Sequence, residues 1–590
     1  MCGIAGFIGS KEAAPIVVGA LTKLEYRGYD SAGLATVSGG RIWAKKDTGK
    51  LPEVCDKHQL NKLPGLCGIG HVRWATHGGV TSADAHPHLD CRERIAVVHN
   101  GIIENYKELK LRLGLKHTFT SNTDTEVIAH MIEEYIALGY SLEDAVLKVT
   151  RELKGSYALA VISATEPDKL VATRKDSPLV VGIGKGGNFI ASDTLSFLDE
   201  TKLVIFIEDG ETVVITGNKI YLIDDKGRKY TRHPQKVDWD WGVADKGDHD
   251  FFMLKEIMEQ PDVLRRAMMQ DRGRIVEIAT EILRAKNVVF TACGTSRYAT
   301  LIGRYLFSRV AGKFSDVVIA SEFGYFSDSI DPDTLVIAVS QSGETADVMD
   351  GVKKAKAKGA RILSVVNMVG SSLARTSDWT IYLNCGPEIG VAATKSFVTQ
   401  LAVFYLLSFA MANRLDEVIG EITNISRLIE DGVRHNHKEI PGIAGRFRDR
   451  DKFYYIARGI NYSIAGEGAL KLKEIAYVHT EGIPAGELKH GTLALVDKET
   501  PVVAICPNDY TFSEMLCNIS EVKARGAYVI GISDRDDDLF DAWIKIPEVK
   551  EIFYPLVSVI PLQLLAYHSA LAREFDPDKP RNLAKSVTVK

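Results

Sequence analysis

A chain of 590 residues is too long for one hydrophobic core, and 45% apolar with 25% charged residues is the balance of a packed globular protein of roughly three or four domains. Lys+Arg 72 against Asp+Glu 77 leaves a net charge of −5 with no block of like sign, which excludes the electrostatic footprint expected for a nucleic-acid or anionic-membrane partner. The 8 cysteines form no C-x-x-C pair, so they read as ordinary core residues of a reducing, cytoplasmic compartment, with no metal site and no cofactor expected.

The chain opens "MCGIAGFIG", with a cysteine directly behind the initiator and glycines at 3 and 6. Up to about residue 235, short apolar runs such as "RIAVVHNG", "GSYALAVISA" and "PLVVGIG" alternate with a few helical stretches, for example "TEVIAHMIEEYIALG". This rhythm predicts an α+β domain rich in antiparallel sheet over residues 1–235. Within it, Asn100-Gly101 is also a strong hairpin signal, and Thr123 with Glu126 spells a helix capping box. His86 and His88 in "AHPH" have no acid or cysteine at ligand spacing and are not expected to bind metal. "PQKVDWDWGVADKGDHD" has neither period, and residues 236–250 read as a linker.

Beyond the linker the order strand, Gly/Ser loop, helix, strand appears twice. "NVVFTACGTS" is echoed by "KFYYIARGIN", and "KAKGARILSV" by "KARGAYVIGI", which predicts two copies of one doubly wound α/β domain, residues 251–425 and 426–590. In the first copy "CGTS" and "SQSGET" follow apolar strands and open helices, so hydroxyls and free N–H groups converge where a phosphate binds well; helix capping by Ser and Thr is the plainer alternative. The second copy has "RGIN" and "CPND" at those places, and its polar groups gather in "ALKLKEIAYVHTEGIPAGELKHG". There Lys471 and Glu474, spaced i, i+3, read singly as a surface ion pair. The most apolar late segment, "YPLVSVIPLQLLAYHSALA", is interrupted by Pro561, Gln563 and His568 and reads as a buried helix. The tail "PRNLAKSVTVK" carries Leu583, Ala584, Val587 and Val589 around Lys585, a pattern suited to docking in a groove although terminal residues usually fray.

"MCGIAGFIG", "EYRGYDSAG", "HVRWATHG", "VVHNGIIENY" and "TDTEVIAH" resemble the N-terminal-nucleophile glutaminase domain of the glutamine amidotransferases. "CGTS", "SQSGETAD", "GVAATKSF", "EGALKLKEIAYVH", "GELKHG" and "PRNLAKSVTV" resemble paired sugar isomerase domains. In that order, across essentially the whole chain, they resemble the family of isomerising glutamine–fructose-6-phosphate aminotransferases. The resemblance implies an αββα sandwich glutaminase followed by two sugar isomerase domains, and a homodimer. It implies the conversion of fructose 6-phosphate and glutamine to glucosamine 6-phosphate and glutamate.

By the same resemblance Cys2, made residue one by removal of Met1, is the nucleophile and its α-amine the base, with Asn100 and Gly101 as oxyanion donors. Arg27, Arg73, Thr76, His77 and Asp124 bind glutamine, and Trp74 gates ammonia. Ser296, Ser340, Gln341, Ser342 and Thr345 hold the sugar phosphate, with Val391 and Lys395 at the rim. Glu474 shuttles the C1/C2 proton, Lys471 supports it, His490 opens the ring, and Lys585 forms a Schiff base with the C2 carbonyl after burial or a nearby cation frees its amine. The chain departs from the family pattern at Ala393, where a serine is usual, and at Thr492, where a proline is usual. Asparagine synthetase and amidophosphoribosyltransferase share only the first half of the pattern. A sugar-phosphate sensor without catalysis would leave Cys2, Arg73, Asn100 and Asp124 unexplained, whereas a glutamine hydrolase feeding a different phosphosugar stays open.

Overall fold

Alternation decides the N-terminal part. In strand Ile95–Ile103, Ile95 and Val97 point into a core shared with helices Glu126–Ala137 and Leu142–Thr150, while Ala96 and Val98 point into a core lined by Ile4, Ile8 and Ile69 of another sheet. A period of two with both faces apolar requires cover on both sides. The computed structural model, which describes residues 2–237 and 246–588, provides it with an eight-stranded and a seven-stranded antiparallel sheet face to face, helices packing on their outer faces. This is the expected αββα sandwich. Strand Gly3–Gly9 lies between Cys67–Arg73 and Gly187–Ala191, with Gly3 paired to Val72, so Cys2 emerges beside the residues that follow Arg73. The glycines at this end serve packing against neighbouring strands: a Cβ at Gly6 would lie 2.6 Å from Ile190 Cγ2.

The chain divides into two compact units, Met1–Asp240 with Ser586–Lys590, and Trp241–Lys585. Strand Gln235–Lys236 pairs with Leu203–Phe206 and Val237 is buried, so the first unit runs slightly past the boundary expected at 235. Of the expected linker, residues 238–245 lie outside the described residues.

The second unit holds two five-stranded parallel sheets of identical topology. One runs Asp316–Ile319, Asn287–Ala292, Thr334–Ser340, Arg361–Val366, Trp379–Tyr382; the other runs His479–Pro484, Lys452–Ala457, Pro501–Ile505, Tyr528–Ser533, Ala542–Lys545. In each, the second strand in sequence takes the edge beside the first, as duplication predicts. One continuous core joins the copies, built on the wholly buried helix Lys395–Met411 and on Tyr554–Ala572. The second of these is long and apolar enough to cross a membrane by composition alone, yet its residues Tyr554–Ala570 are all buried in this core. Helix Leu415–Arg446 runs through the expected 425/426 boundary and packs along Tyr554–Ala572, so the copies share a helix there.

Candidate active sites

In the first unit the Cys2 thiol sits against the backbone of Trp74, with Trp74 N and Trp74 O each 3.4 Å from Sγ. Burial raises the thiol above its ordinary value, against the Trp74 N–H and the Arg73 charge, which favour the thiolate. Its proton therefore has to be removed by a base. Asn100 and Gly101 are not a hairpin turn but lie inside strand Ile95–Ile103, opposite Ala158 and Tyr157. A type I′ turn would leave both residues at its tip, and here pairing continues on either side of them. His71 Nε2 lies 3.0 Å from Asn100 Oδ1, and Asn100 Nδ2 donates to Ser192 Oγ at 2.8 Å. Burial holds His71 down at about 3, so its ring is neutral and donates from Nε2. Ser192 Oγ also accepts from Ile4 N at 2.8 Å, which ties the Asn100 amide to the strand that begins just after the nucleophile.

Arg73 is buried and its fork closes on the loop that follows it, Nη1 donating to Gly79 O at 2.9 Å and Nη2 to His77 O. Asp84 receives Gly79 N and Asn122 N, fixing that loop. Thr76 is exposed, and His77 sets its edge against Tyr106 at 5.7 Å. The capping box is not formed. Helix Glu126–Ala137 has no side-chain cap, and Glu126 instead accepts from the N–H groups of Thr120 and Ser121, both at 2.7 Å. Asp124 is thereby left to accept from Ile103 N at 2.7 Å, beside the Asn100-Gly101 segment. Arg27 holds the Cys2 carbonyl at 3.4 Å and Asp193 at 3.3 Å, contacts that position the nucleophile's backbone. His86 stacks on His71 at 4.2 Å and meets His88 edge-on at 4.7 Å.

In the second unit "CGTS" follows strand Asn287–Ala292 and "SQSGET" follows its parallel neighbour Thr334–Ser340, so both loops lie at one carboxyl edge. Helix capping does not account for their hydroxyls, since neither following helix, Gly294–Ala311 nor Ala346–Ala357, has a side-chain cap. Ser340 Oγ and Thr345 Oγ1 lie 2.9 Å apart, and Ser340 also receives Gly343 N. Ser342 Oγ receives Glu344 N at 3.2 Å, Gln341 O receives Asn367 N, and Ser296 Oγ receives Gln400 Nε2 at 2.9 Å.

Helix Tyr462–Ala476 of the second copy reaches this edge. Lys471 is fully buried and donates to Thr295 Oγ1 at 2.9 Å and Glu474 Oε2 at 2.5 Å, with Glu467 Oε1 at 3.4 Å. The surface ion pair expected at 471 and 474 is thus corrected: an ammonium with no exposure must be met by several acceptors, and Thr295, Glu474 and Glu467 meet it. Burial raises Glu467 to about 8, in spite of Lys471, so it stays protonated at neutral pH, whereas Glu474 keeps 22% of its side chain exposed.

The Lys585 side chain is buried too, but beside a carboxylate rather than a cation: Nζ donates to Glu388 Oε2 at 2.6 Å. Glu388 also receives Thr394 N, Ser396 N and Ser396 Oγ; burial works against its charge, and Lys585 and these donors outweigh it, holding the carboxyl at about 2. The docking expected of the tail's apolar residues is not borne out at Val587, which is exposed, while Leu583 and Ala584 are half-buried and Val589 lies outside the described residues. Just before the tail, Asp578 receives Phe252 N and Met253 N at 2.8 Å and its carbonyl accepts from Val391 N. Lys395 is buried and paired to Glu259 at 2.5 Å.

His490 stands apart. Helix Tyr462–Ala476 runs back along its sheet and carries Glu474 toward the amino end of strand His479–Pro484, while the short helix Ala485–His490 follows that strand's carboxyl end. Six strand residues at ~3.3 Å each separate them by about 20 Å. His490 is exposed, and neighbours in the sequence are not neighbours at the site.

Sequence reasoning missed His71, Ser192, Asp193, Thr295, Glu388 and Glu467. Only Glu467 had a local signal, standing four residues before Lys471 on one helical face.

Models of a glutamine amidotransferase domain match residues 71–199, and a SIS domain model matches twice, at 281–410 and 446–573. Proteins named glutamine–fructose-6-phosphate aminotransferase [isomerizing] from Thermococcus kodakarensis and Aquifex aeolicus are 47% and 43% identical, each over 100% of both chains. The C-terminal domain of glucosamine-fructose-6-phosphate aminotransferase from Francisella tularensis is 35% identical over 57% of this chain and 100% of that one, with a TM-score of 0.54.

Proposed function

Since the chain belongs to the family of isomerising glutamine–fructose-6-phosphate aminotransferases, we propose how its residues divide that reaction. The protein converts fructose 6-phosphate and glutamine to glucosamine 6-phosphate and glutamate. The observation that carries the glutaminase assignment is the Cys2 thiol held at 3.4 Å by the Trp74 N–H. With Met1 removed, the α-amine of Cys2 titrates near ~7.7–8.0 and takes the thiol proton as sulfur attacks the glutamine amide. Ammonia leaves and water hydrolyses the thioester. Asn100 and Gly101 stabilise the oxyanion, with His71 and Ser192 orienting the Asn100 amide. Arg73 exchanges the carbonyls of His77 and Gly79 for the two oxygens of the substrate carboxylate, and Asp124 pairs with its ammonium. Arg27 keeps the Cys2 backbone in register, while Thr76 and His77 line the approach and Trp74 gates the ammonia.

In the second unit Ser296, Ser340, Gln341, Ser342 and Thr345 bind the phosphate and neighbouring hydroxyls, near Val391 and Lys395. Glu388, as the acceptor of Lys585 Nζ–H, positions the amine toward C2; a carboxyl held at about 2 stays ionised, so the proton the ammonium must lose before attack goes to another base. Glu474 moves the proton between C1 and C2, held by Lys471. Because His490 lies about 20 Å along the sheet from Glu474 within one chain, its ring-opening role is assigned to the site of a second copy, which makes a homodimer the working unit. Cys2→Ala tests the division: it is expected to lose glutamine hydrolysis completely while free ammonia still supports aminosugar formation. Hydrolysis persisting in that variant would refute it.

A further inference from the structure

Outside this chemistry, four side chains from three separate segments of the first unit meet. Cys91 lies between strands His88–Leu89 and Ile95–Ile103, His117 just after the one-turn helix Gly114–Lys116, and His130 and Glu133 one turn apart on helix Glu126–Ala137. Their ligand atoms all lie within 4.8 Å of one another. Cys91 Sγ is 3.4 Å from His117 Nδ1 and 3.5 Å from His130 Nδ1, and Glu133 Oε2 is 3.1 Å from His117 Nδ1 and 3.6 Å from His130 Nδ1. Tetrahedral zinc with bonds of about 2.0–2.3 Å separates its ligands by about 3.3–3.6 Å, so these four separations are already close to the edge lengths of such a polyhedron, and the remaining pairs lie within 4.8 Å.

The rings are also oriented as metal ligands are. Both present Nδ1 to the centre and turn Nε2 outward to a carboxylate, His117 to Glu134 at 3.5 Å and His130 to Glu126 at 3.7 Å. A ligating imidazole characteristically has a carboxylate behind its other nitrogen. His130 Nε2 is buried with no hydrogen-bond partner, so the Glu126 charge is what it faces.

We propose that Cys91, His117, His130 and Glu133 form a binding site for a structural Zn2+ ion. One thiolate, two imidazoles and one carboxylate are a donor set that favours zinc over the hard cations, and four protein ligands close the coordination sphere against a catalytic water. On binding, the metal–sulfur bond replaces the Cys91 S–H bond and the proton passes to solvent. The ion clamps helix Glu126–Ala137 to the segment leading into strand Ile95–Ile103. Asp124, just before that helix, is bonded to Ile103 N of that same strand, so the clamp holds in place the acid assigned to the glutamine ammonium.

The test uses the full chain, purified without a polyhistidine tag. Elemental analysis is expected to find about one zinc per chain, and Co2+ added after chelation is expected to produce the thiolate charge-transfer and visible bands of a tetrahedral site. Cys91→Ser, at an exposed position, should lose both, and Cys517→Ser, also exposed, should keep both. Chelation should lower Tm in the parent and in Cys517→Ser but not in Cys91→Ser. A parent that binds neither zinc nor cobalt, or a cobalt spectrum that survives in Cys91→Ser, overturns the proposal.

Discussion

Gly101→Ala adds a single methyl group at the centre of the glutaminase unit. Gly101 has φ +124°, and a Cβ there would lie 2.0 Å from Ser156 O and 2.8 Å from Tyr157 Cα, both backbone atoms of the paired strand Gly155–Ser163. Nothing flexible is available to yield, because that strand is bonded on its other side to Glu166–Lys175. Forcing an alanine into this conformation costs about 1–3 kcal/mol, and overpacking against the strand a further 1–3 kcal/mol. The sum of about 2–6 kcal/mol should lower Tm of this unit by at least about 4 °C. The same displacement moves the Gly101 N–H off the oxyanion, for which a loss of about 10²–10³ in kcat is expected. Glutamate release from glutamine alone is the assay, with ammonia-dependent synthesis as the internal control that should survive. Wild-type hydrolysis and an unmoved Tm would refute both the strand assignment and the oxyanion role.

Glu474→Gln should keep glutaminase activity and lose about 10²–10⁴ in aminosugar formation; full synthesis in this variant would contradict the proton shuttle. Borohydride added with fructose 6-phosphate should fix a sugar adduct on Lys585, diminished in Glu388→Gln, and peptide mass analysis with no adduct in the parent would contradict the Schiff base. Glu388 is held at about 2, below its ordinary 4.5, so its contribution of about 3 kcal/mol is present above pH 4.5 and is lost as pH falls toward 2. Denaturation curves of the parent and Glu388→Gln should therefore converge across that window, and parallel curves would refute the coupling.

The architecture was legible wherever periodicity carries it. The neighbouring strand ends at Ala292 and Ser340 follow from the strand, loop, helix rhythm that is visible as text, and the buried Tyr554–Ala572 follows from its interrupted apolar run. What was not legible depends on partners distant in the chain. Asn100-Gly101 satisfies the rules of a hairpin locally, and only the strands on either side make it mid-strand. Lys471 looks like half of a surface pair until Thr295, from the other copy of the repeat, closes over it. Lys585 was expected among apolar neighbours, and Glu388 beside it had no signal, being 197 positions away. The Cys91 cluster was hidden for the same reason, since its ligands follow no spacing that a local pattern reports.

The central claim is that this protein moves the amide nitrogen of glutamine onto C2 of fructose 6-phosphate and isomerises the product. Incubation of the purified protein with unlabelled fructose 6-phosphate and glutamine carrying heavy nitrogen in its side-chain amide, followed by mass analysis, tests this directly. The account predicts glucosamine 6-phosphate bearing one heavy nitrogen, together with glutamate. Glutamate released without any labelled aminohexose phosphate would contradict it.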